Sequence, residues 1–372
     1  TSHYTYYLVK HLLEMDHDNT YVLFFDRAMK DIDAIDPASR VFHGRNVVHR
    51  FLPFGQYKRW LPFVYTHTLV AAALARERLD VYHTPAHPIP LGYRRPSVVT
   101  VHDLLIYEHP EWFPAGRLGG QEFAIQVAVP SSIRRASVVV TPSRATATAV
   151  ANRFHVEPKK LRVIPEGIVE EPVEEGSVAH VRTQFGITSP YIFFIGTIEP
   201  RKNLVRAIDA FVEYRKRNGG DSAFIIAGGK GWKNDDVFGA IDRANATLGA
   251  RAVRYIGVVT HADKCSLIAG AELFLWPSLG EGFGLPLLEA MALGTPVITS
   301  NVTSIPEVAG GAALLVDPLD TSAIADVLTR LMQDQNLRDA YQAKGSARSR
   351  QFSWEATARA THEVYREVAE RT

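Results

Sequence analysis

Tyr191-Ile-Phe-Phe-Ile-Gly-Thr-Ile-Glu-Pro-Arg-Lys-Asn203 reads as a buried strand, a loop and the start of a helix. The run Ile192-Phe-Phe-Ile195 is apolar on both faces, as a parallel strand covered by helices on both sides must be. Beyond it, Leu204, Ile208, Phe211 and Val212 recur at helical spacing, and Asn203 suits the N-cap. Arg201 and Lys202 then lie at the positive end of that helix, where a cation is disfavoured by roughly 0.3–1 kcal/mol. A solvated Arg-Lys pair is the plainer explanation in isolation. At the C-terminal end of a parallel strand, where such sheets bind ligands, the pair better fits a multiply charged anion such as a diphosphate.

Working outward, short β-rich runs alternate with longer amphipathic segments, the pattern of stacked βαβ units. Strands are expected at 21–25, 47–52, 81–84, 97–102, 137–141 and 162–165, then at 191–196, 223–227, 253–256, 273–276, 297–300 and 313–316. Two such sets imply two doubly wound, Rossmann-like α/β domains with parallel sheets. The acidic stretch Glu166-Gly-Ile-Val-Glu-Glu-Pro-Val-Glu-Glu-Gly-Ser177 has neither period and reads as the linker. The domains are expected at 1–170 and 180–350. A helix over 351–372, with apolar positions at Ala356, Ala360, Val364 and Val368, reads as a cap on the second domain.

Composition narrows the function classes. The 372 residues are 46% hydrophobic and 22% charged, which excludes a disordered chain. A net charge of +1 does not point to nucleic acid. A single cysteine, Cys265, can form neither an internal disulfide nor a thiolate metal cluster, which favours a reducing compartment such as the cytoplasm. The most apolar run, 69–75, is far shorter than the roughly 18 residues of a spanning helix.

A second informative stretch is Trp276-Pro-Ser-Leu-Gly-Glu-Gly-Phe-Gly-Leu-Pro-Leu-Leu-Glu-Ala-Met-Ala-Leu-Gly294. A strand ends at Trp276, and the loop carries Glu281, Gly282 and Gly284. Pro286 suits the first turn of a short helix and Gly294 its end. Glycines let the backbone approach a ligand closely. Glu281 and Glu289 are expected to face one crevice, one towards a sugar-like group and the other towards a ribose diol. Taken singly, each also fits an ordinary helix-start or surface acid.

In the first half, Ser97-Val-Val-Thr-Val-His-Asp103 ends a strand with a His-Asp pair. His102 suits hydrogen bonding or proton transfer near neutral pH, or a purely structural bond. Asp103 suits capping of the next loop. Asp16-His-Asp18 and Asp31-Ile-Asp33 match the metal–diphosphate pattern formally, but neither follows a buried strand, so both read as solvated turns and no metal is expected. The stretch 50–65 mixes basic and large aromatic residues, the composition of a membrane-interface or acceptor-docking surface or of a buried helix with a basic edge.

Together, Gly196-Thr-Ile-Glu-Pro-Arg-Lys-Asn203, Glu281-Gly-Phe-Gly-Leu-Pro-Leu-Leu-Glu289, Gly294-Thr-Pro-Val-Ile298 and Pro306-Glu-Val308 resemble the family 4 retaining glycosyltransferases of GT-B fold. Val101-His-Asp-Leu104 resembles that family's first-domain motif, and His109-Pro-Glu-Trp-Phe-Pro114 is similar to a segment of its bacterial mannosyltransferase-like members. The resemblance implies two Rossmann-like domains facing a cleft, the first on the acceptor side, with the helix over 351–372 crossing back onto the first. It implies that Arg201 and Lys202, with Gly196 and Thr197, hold a donor diphosphate. Glu289 would take the ribose, and Glu281 with the backbone of Gly282, Phe283, Gly284 and Leu285 the sugar. His102 would lie beside the transferred sugar. No cofactor or metal is implied.

The implied donor is a nucleotide sugar, GDP-mannose favoured over a UDP-sugar, and the acceptor a glycan or lipid-linked hydroxyl in surface polysaccharide biosynthesis. The implied place is the cytoplasm, with peripheral contact at the inner membrane face. Family members begin with a strand and a glycine-rich loop before the helix marked here by Tyr4, Leu8 and Leu12, so some 15–20 further residues are expected ahead of it. Competing classes are a GT-B phosphorylase or epimerase and a non-catalytic nucleotide-sugar-binding protein. A phosphorylase needs a lysine for pyridoxal phosphate, and none is assignable.

Overall fold

The computed structural model describes residues 2–25, 40–52, 65–85, 88–114, 122–169 and 172–371. The chain divides into two compact units, and each unit borrows a segment from the other half of the sequence. One comprises Thr1–His102, Gly116–Gly167 and Trp354–Thr372; the other comprises Asp103–Ala115 and Ile168–Ser353. Asp31-Ile-Asp33 and residues 53–64 of the basic aromatic stretch lie outside the described residues.

The second unit is built on a six-stranded parallel sheet. Its strands are β7 (Tyr191–Ile195), β8 (Ala223–Ala227), β9 (Val253–Tyr255), β10 (Leu273–Trp276), β11 (Val297–Ser300) and β12 (Leu314–Val316), counted along the chain after six in the first unit. The order is β12-β11-β10-β7-β8-β9. From β7 the chain winds one way to β8 and β9, then returns to β10 and winds the other way. The carboxyl ends of β7 and β10 therefore flank the point where strand order reverses, where a sheet of this kind opens a crevice for ligand. Tyr191 to Phe194 and all of β10 are fully buried, as apolarity on both faces predicted.

The first unit holds β1 (Tyr21–Phe25), β2 (Val47–Phe51), β3 (Tyr82–Thr84), β4 (Ser97–Thr100), β5 (Val138–Thr141) and β6 (Leu161–Val163). Among the described residues all ladders are parallel, β1 and β2 pair only with each other, and β3 to β6 form a separate four-stranded sheet in sequence order. Period and composition place strands to within two residues or so; they do not say which strands share a ladder.

The last helix, Trp354–Glu370, belongs to the first unit. Three of its four expected apolar positions face the core, Val364 and Val368 buried and Ala360 packed against the same cluster. Trp354, Ala358, Thr361, Val364 and Val368 are covered, whereas Ala356 is exposed. The reason lies in Trp354, whose ring stacks on Tyr7 (5.5 Å between centroids) and meets Tyr4 edge-on (5.8 Å), both on the helix Ser2–Met15. That anchor turns Val364 and Val368 onto Val98, Val138 and Val140 of the sheet.

Asp16 is not the solvated turn residue expected from its sequence. It is 7% exposed and accepts hydrogen bonds from the backbone N–H groups of Asp18 (3.0 Å) and Asn19 (3.2 Å), from Asn19 Nδ2 (2.9 Å) and from the Tyr21 hydroxyl (2.6 Å). A nitrogen of His362, on the last helix, lies 3.1 Å from its Oδ2. Burial alone would raise this carboxyl, but the bonds from Tyr21, Asn19 and Asp18 outweigh it and hold the group at about 2. A lowered folded value means stability fully present above about pH 4 and lost as pH falls towards 2. Asp16→Asn is expected to lower stability by about 1–2 kcal/mol at pH 7 in urea unfolding and to flatten the loss between pH 4 and 2. An unaltered acid limb in the variant would contradict this.

Candidate active site

The loop after β7 is shaped by glycines that follow its neighbour β8. Gly196 N–H donates to Ala227 O (3.1 Å) and Ile198 N–H to Gly229 O (2.9 Å). A Cβ on Gly228 would lie 1.9 Å from Gly196 O, and one on Gly231 would lie 2.7 Å from Ile198 O. Backbone therefore runs against backbone for several residues past both strands. These glycines were not singled out from sequence, although Gly228-Gly-Lys-Gly231 directly after a buried strand is a visible signal.

Pro200–Lys202 form a single tight turn, and Asn203 follows in the left-handed region (φ 59°, ψ 30°). Asn203 makes no side-chain cap, because capping needs an extended backbone whereas asparagine also tolerates the left-handed one. Its amide instead donates to Pro277 O (3.0 Å) and Pro318 O (2.6 Å). Together with Leu279 N–H donating to Arg201 O (2.7 Å), this fastens the loop after β7 to the loop after β10.

The fastening creates a buried charge cluster. Arg201 Nη1 donates to Glu281 Oε2 (2.6 Å) and Lys202 Nζ to Glu281 Oε1 (2.5 Å). Glu199 Oε1 lies 2.5 Å from Arg201 Nε, an ion contact outside hydrogen-bond alignment. The Lys202, Glu281 and Glu199 side chains are 7%, 10% and 4% exposed. Burial pushes the Lys202 ammonium below its ordinary value, and Glu281 offsets only part of this. Burial would raise the Glu281 carboxyl, but the two cations outweigh it and hold it below the usual range. For Arg201, burial would lower the value, but Glu281 and Glu199 together raise it. Lys202 Nζ also sits 4.6 Å from the ring centroid of Trp276. The pair is thus not a solvated loop pair, and Glu281 is joined to it.

The Glu281 loop is held from the end of β11. Glu281 N–H donates to Thr303 Oγ1 (3.0 Å), and Ser304 Oγ donates to the carbonyls of Glu281 (2.9 Å) and Phe283 (3.0 Å). Neither Thr303 nor Ser304 was picked out from sequence. The Phe283 ring is buried in the core, so what this residue presents to a ligand is backbone. Gly284 has φ +117°, and the helix Leu285–Ala292 starts with Pro286 in its first turn and is followed by Gly294 at φ +77°. Glu289 lies within this helix and accepts from Lys264 Nζ (2.7 Å). It faces a cavity of about 300 Å³ that is also lined by His261, Lys264, Ser349 and Arg350. Glu281 does not line that cavity, so the two glutamates do not share it. The loop residue meets the two cations, and the helix residue meets Lys264.

In the first unit, His102 follows β4 with both ring nitrogens engaged: Nδ1 at 3.0 Å from Glu166 Oε1, and Nε2 at 2.9 Å from Pro85 O. Tyr4 packs edge-on against the ring (4.7 Å). Asp103 caps as expected, accepting from Leu105 N–H (3.0 Å). Within the second unit, the segment Asp103–Ala115 closes over the Glu281 loop. A Cβ on Gly280 would meet Leu105 Cδ2 at 2.9 Å and Trp112 Cζ3 at 3.3 Å. Trp232 Nε1 donates to Trp112 O (2.7 Å) and Lys233 Nζ to Glu111 O (2.7 Å). Among the described residues no group of three or more His, Cys, Asp or Glu side chains is placed to hold a metal, and no helix is long and apolar enough to cross a membrane.

This geometry belongs to a recognisable class. Residues 180–348 match the family described as glycosyl transferases group 1, and residues 1–171 match glycosyltransferase family 4. The chain is 34% identical over 298 residues to O-antigen chain mannosyltransferase B of Escherichia coli, covering 77% of this chain and 74% of that one. Its fold is similar to that of a glycosyltransferase of Rickettsia africae (TM-score 0.73, 14% identity, 100% and 95% of the two chains). It is also similar to HepE of Anabaena, solved with UDP and glucose (TM-score 0.72, 20% identity, 97% and 95%). The chain belongs to the family 4 glycosyltransferases and is an enzyme of GT-B fold.

The close approach of β7 and β8 yields a direct test of how the site is shaped. Gly228→Ala must part the two strands and is expected to cost about 1–3 kcal/mol in denaturant unfolding. Gly229→Ala, whose added Cβ has its nearest neighbour at 3.9 Å, is expected to change stability by less than about 1 kcal/mol. Equal effects would contradict the packing described.

Proposed function

We propose that the chain moves a hexose, mannose, from a nucleoside-diphosphate sugar to a hydroxyl of a glycan or lipid-linked acceptor in the synthesis of a surface polysaccharide, with retention at the anomeric carbon. The observation that carries this is the pair of half-buried Arg201 and buried Lys202 at the carboxyl end of β7, beside the reversal of strand order. Two fixed cations in a site of low dielectric stabilise the charge that develops on a leaving nucleoside diphosphate as the glycosidic bond breaks. They supply this neutralisation without a metal, so transfer is expected to persist in a chelator.

The Glu289–Lys264 pair on the cavity wall is assigned to the ribose diol, the carboxylate accepting both hydroxyls while Lys264 fixes its orientation. Gly196 and Thr197 are assigned to the diphosphate, and Glu281 with the backbone of Gly282 to Leu285 to the sugar. His102, locked at both nitrogens, is assigned to contact with the transferred sugar rather than to proton transfer. The choice of mannose is supported by the O-antigen mannosyltransferase relative. A UDP-sugar is the second reading, favoured by the UDP-bound HepE structure. Localisation at the cytoplasmic face of the inner membrane is supported by the basic and aromatic composition of 50–65.

A thermal-shift panel of GDP-mannose, UDP-glucose and UDP-N-acetylglucosamine tests the donor, since a ligand at 100 times its Kd adds about 2.7 kcal/mol. Lys202→Met and Arg201→Ala each remove a charge-assisted contact of about 1.5–3 kcal/mol, so the Kd of the preferred donor is expected to rise roughly 10- to 150-fold. Free nucleoside diphosphate should appear only with acceptor present, as a transferase requires and a phosphorylase or epimerase does not. Unchanged donor affinity in both variants would contradict the proposal.

A further inference from the structure

We propose that Glu281 competes with the donor diphosphate for Arg201 and Lys202, and by doing so makes the site prefer the intact nucleotide sugar over the bare nucleoside diphosphate. The inference rests on the donor assignment above and adds to it. Each oxygen of Glu281 takes one cation, Oε2 from Arg201 Nη1 (2.6 Å) and Oε1 from Lys202 Nζ (2.5 Å). A diphosphate bridging the pair would draw on the same two cationic groups.

Charge counting shows why both anions cannot stay. Arg201 and Lys202 are balanced by Glu199 and Glu281, so the cluster is already close to neutral. Adding two or more negative charges next to an unmoved Glu281, with its side chain 10% exposed, means like-charge repulsion in a poorly screened site. One carboxylate has to yield. Glu199 sits two residues from Arg201 on the same turn and binds Nε, which leaves the outer guanidinium nitrogens free to change partner. Glu281 stands between Gly280 and Gly282 in a loop fastened through its backbone to Thr303 and Ser304, so its side chain can turn without the loop moving.

A displaced Glu281 needs new hydrogen-bond donors, because a buried carboxylate without partners is costly. The hydroxyls of a donor sugar supply them. A bare nucleoside diphosphate, the product of transfer, lacks those hydroxyls, and its ribose diol is assigned to Glu289. Binding of product is therefore opposed by the full cost of breaking the Glu281 contacts, while binding of donor recovers much of it. Glu281 acts on the difference between two affinities, which is what specificity requires.

Isothermal titration of wild type, Glu281→Gln and Glu281→Asp with UDP and GDP, and with the nucleotide sugar of whichever base binds, tests this. Glu281→Gln removes the competing charge and is expected to bind the bare nucleoside diphosphate about tenfold tighter than wild type. The nucleotide sugar should gain less or be weakened, so the preference for donor over product falls. Glu281→Asp, too short to span both cations, is expected to tighten bare nucleoside diphosphate by about two- to threefold, and it serves alone if the Gln variant does not fold. Affinity for the bare nucleoside diphosphate that is unchanged or weaker in the folded variants would overturn the competition while leaving the donor assignment standing. Failure of wild type and of both folded variants to bind UDP, GDP or either nucleotide sugar would remove both.

Discussion

β7 and β10 lie side by side in the sheet although some eighty residues separate them, and the loops leaving their carboxyl ends have nowhere to go but into each other. One loop carries Arg201 and Lys202, the other Glu281, and the Asn203 amide ties the second loop to the first through Pro277 O. The charge cluster is thus a consequence of strand order. Buried ion pairs are a poor source of stability, because desolvation offsets most of their attraction. A cluster of two cations and two carboxylates at a ligand crevice therefore makes more sense as binding machinery than as a clamp on the fold.

Much of the second unit was legible in the sequence. Ile192-Phe-Phe-Ile195 is apolar at every position, so its burial on both faces follows, and the cation pair after it opposes the helix dipole plainly enough to flag a site. What could not be read was partnership. Nothing in the spacing of Glu281 and Glu289 says that the first turns to the cations and the second to Lys264, because the cations come from the turn after β7 and Lys264 from the helix His261–Ala269. Asn203 shows the same limit: its residue type suits a cap, yet the backbone around it takes the left-handed conformation and sends its amide elsewhere.

The first unit was legible to a lesser degree for a related reason. Strand positions followed from composition, but the division into two sheets depends on pairing, which period alone does not encode. On the last helix Val364, Val368 and Ala360 face the core as expected, and only Ala356 was misplaced, where an alanine's spacing says less than the neighbouring tryptophan. In a packed core the largest side chain sets the rotation, and Trp354 between Tyr4 and Tyr7 does so here. His102 likewise gains its meaning from Glu166 and Pro85, residues far from it in sequence.

The central claim is that a diphosphate is held by Arg201 and Lys202 at the carboxyl end of β7. A crystal structure of the chain soaked with the nucleoside diphosphate it binds best tests this most directly. The expected result is phosphate oxygens within about 3 Å of the Arg201 guanidinium and Lys202 Nζ, with the Glu281 carboxylate turned away from both. A nucleotide seated elsewhere, with the Glu281 contacts to the two cations intact, would contradict the account.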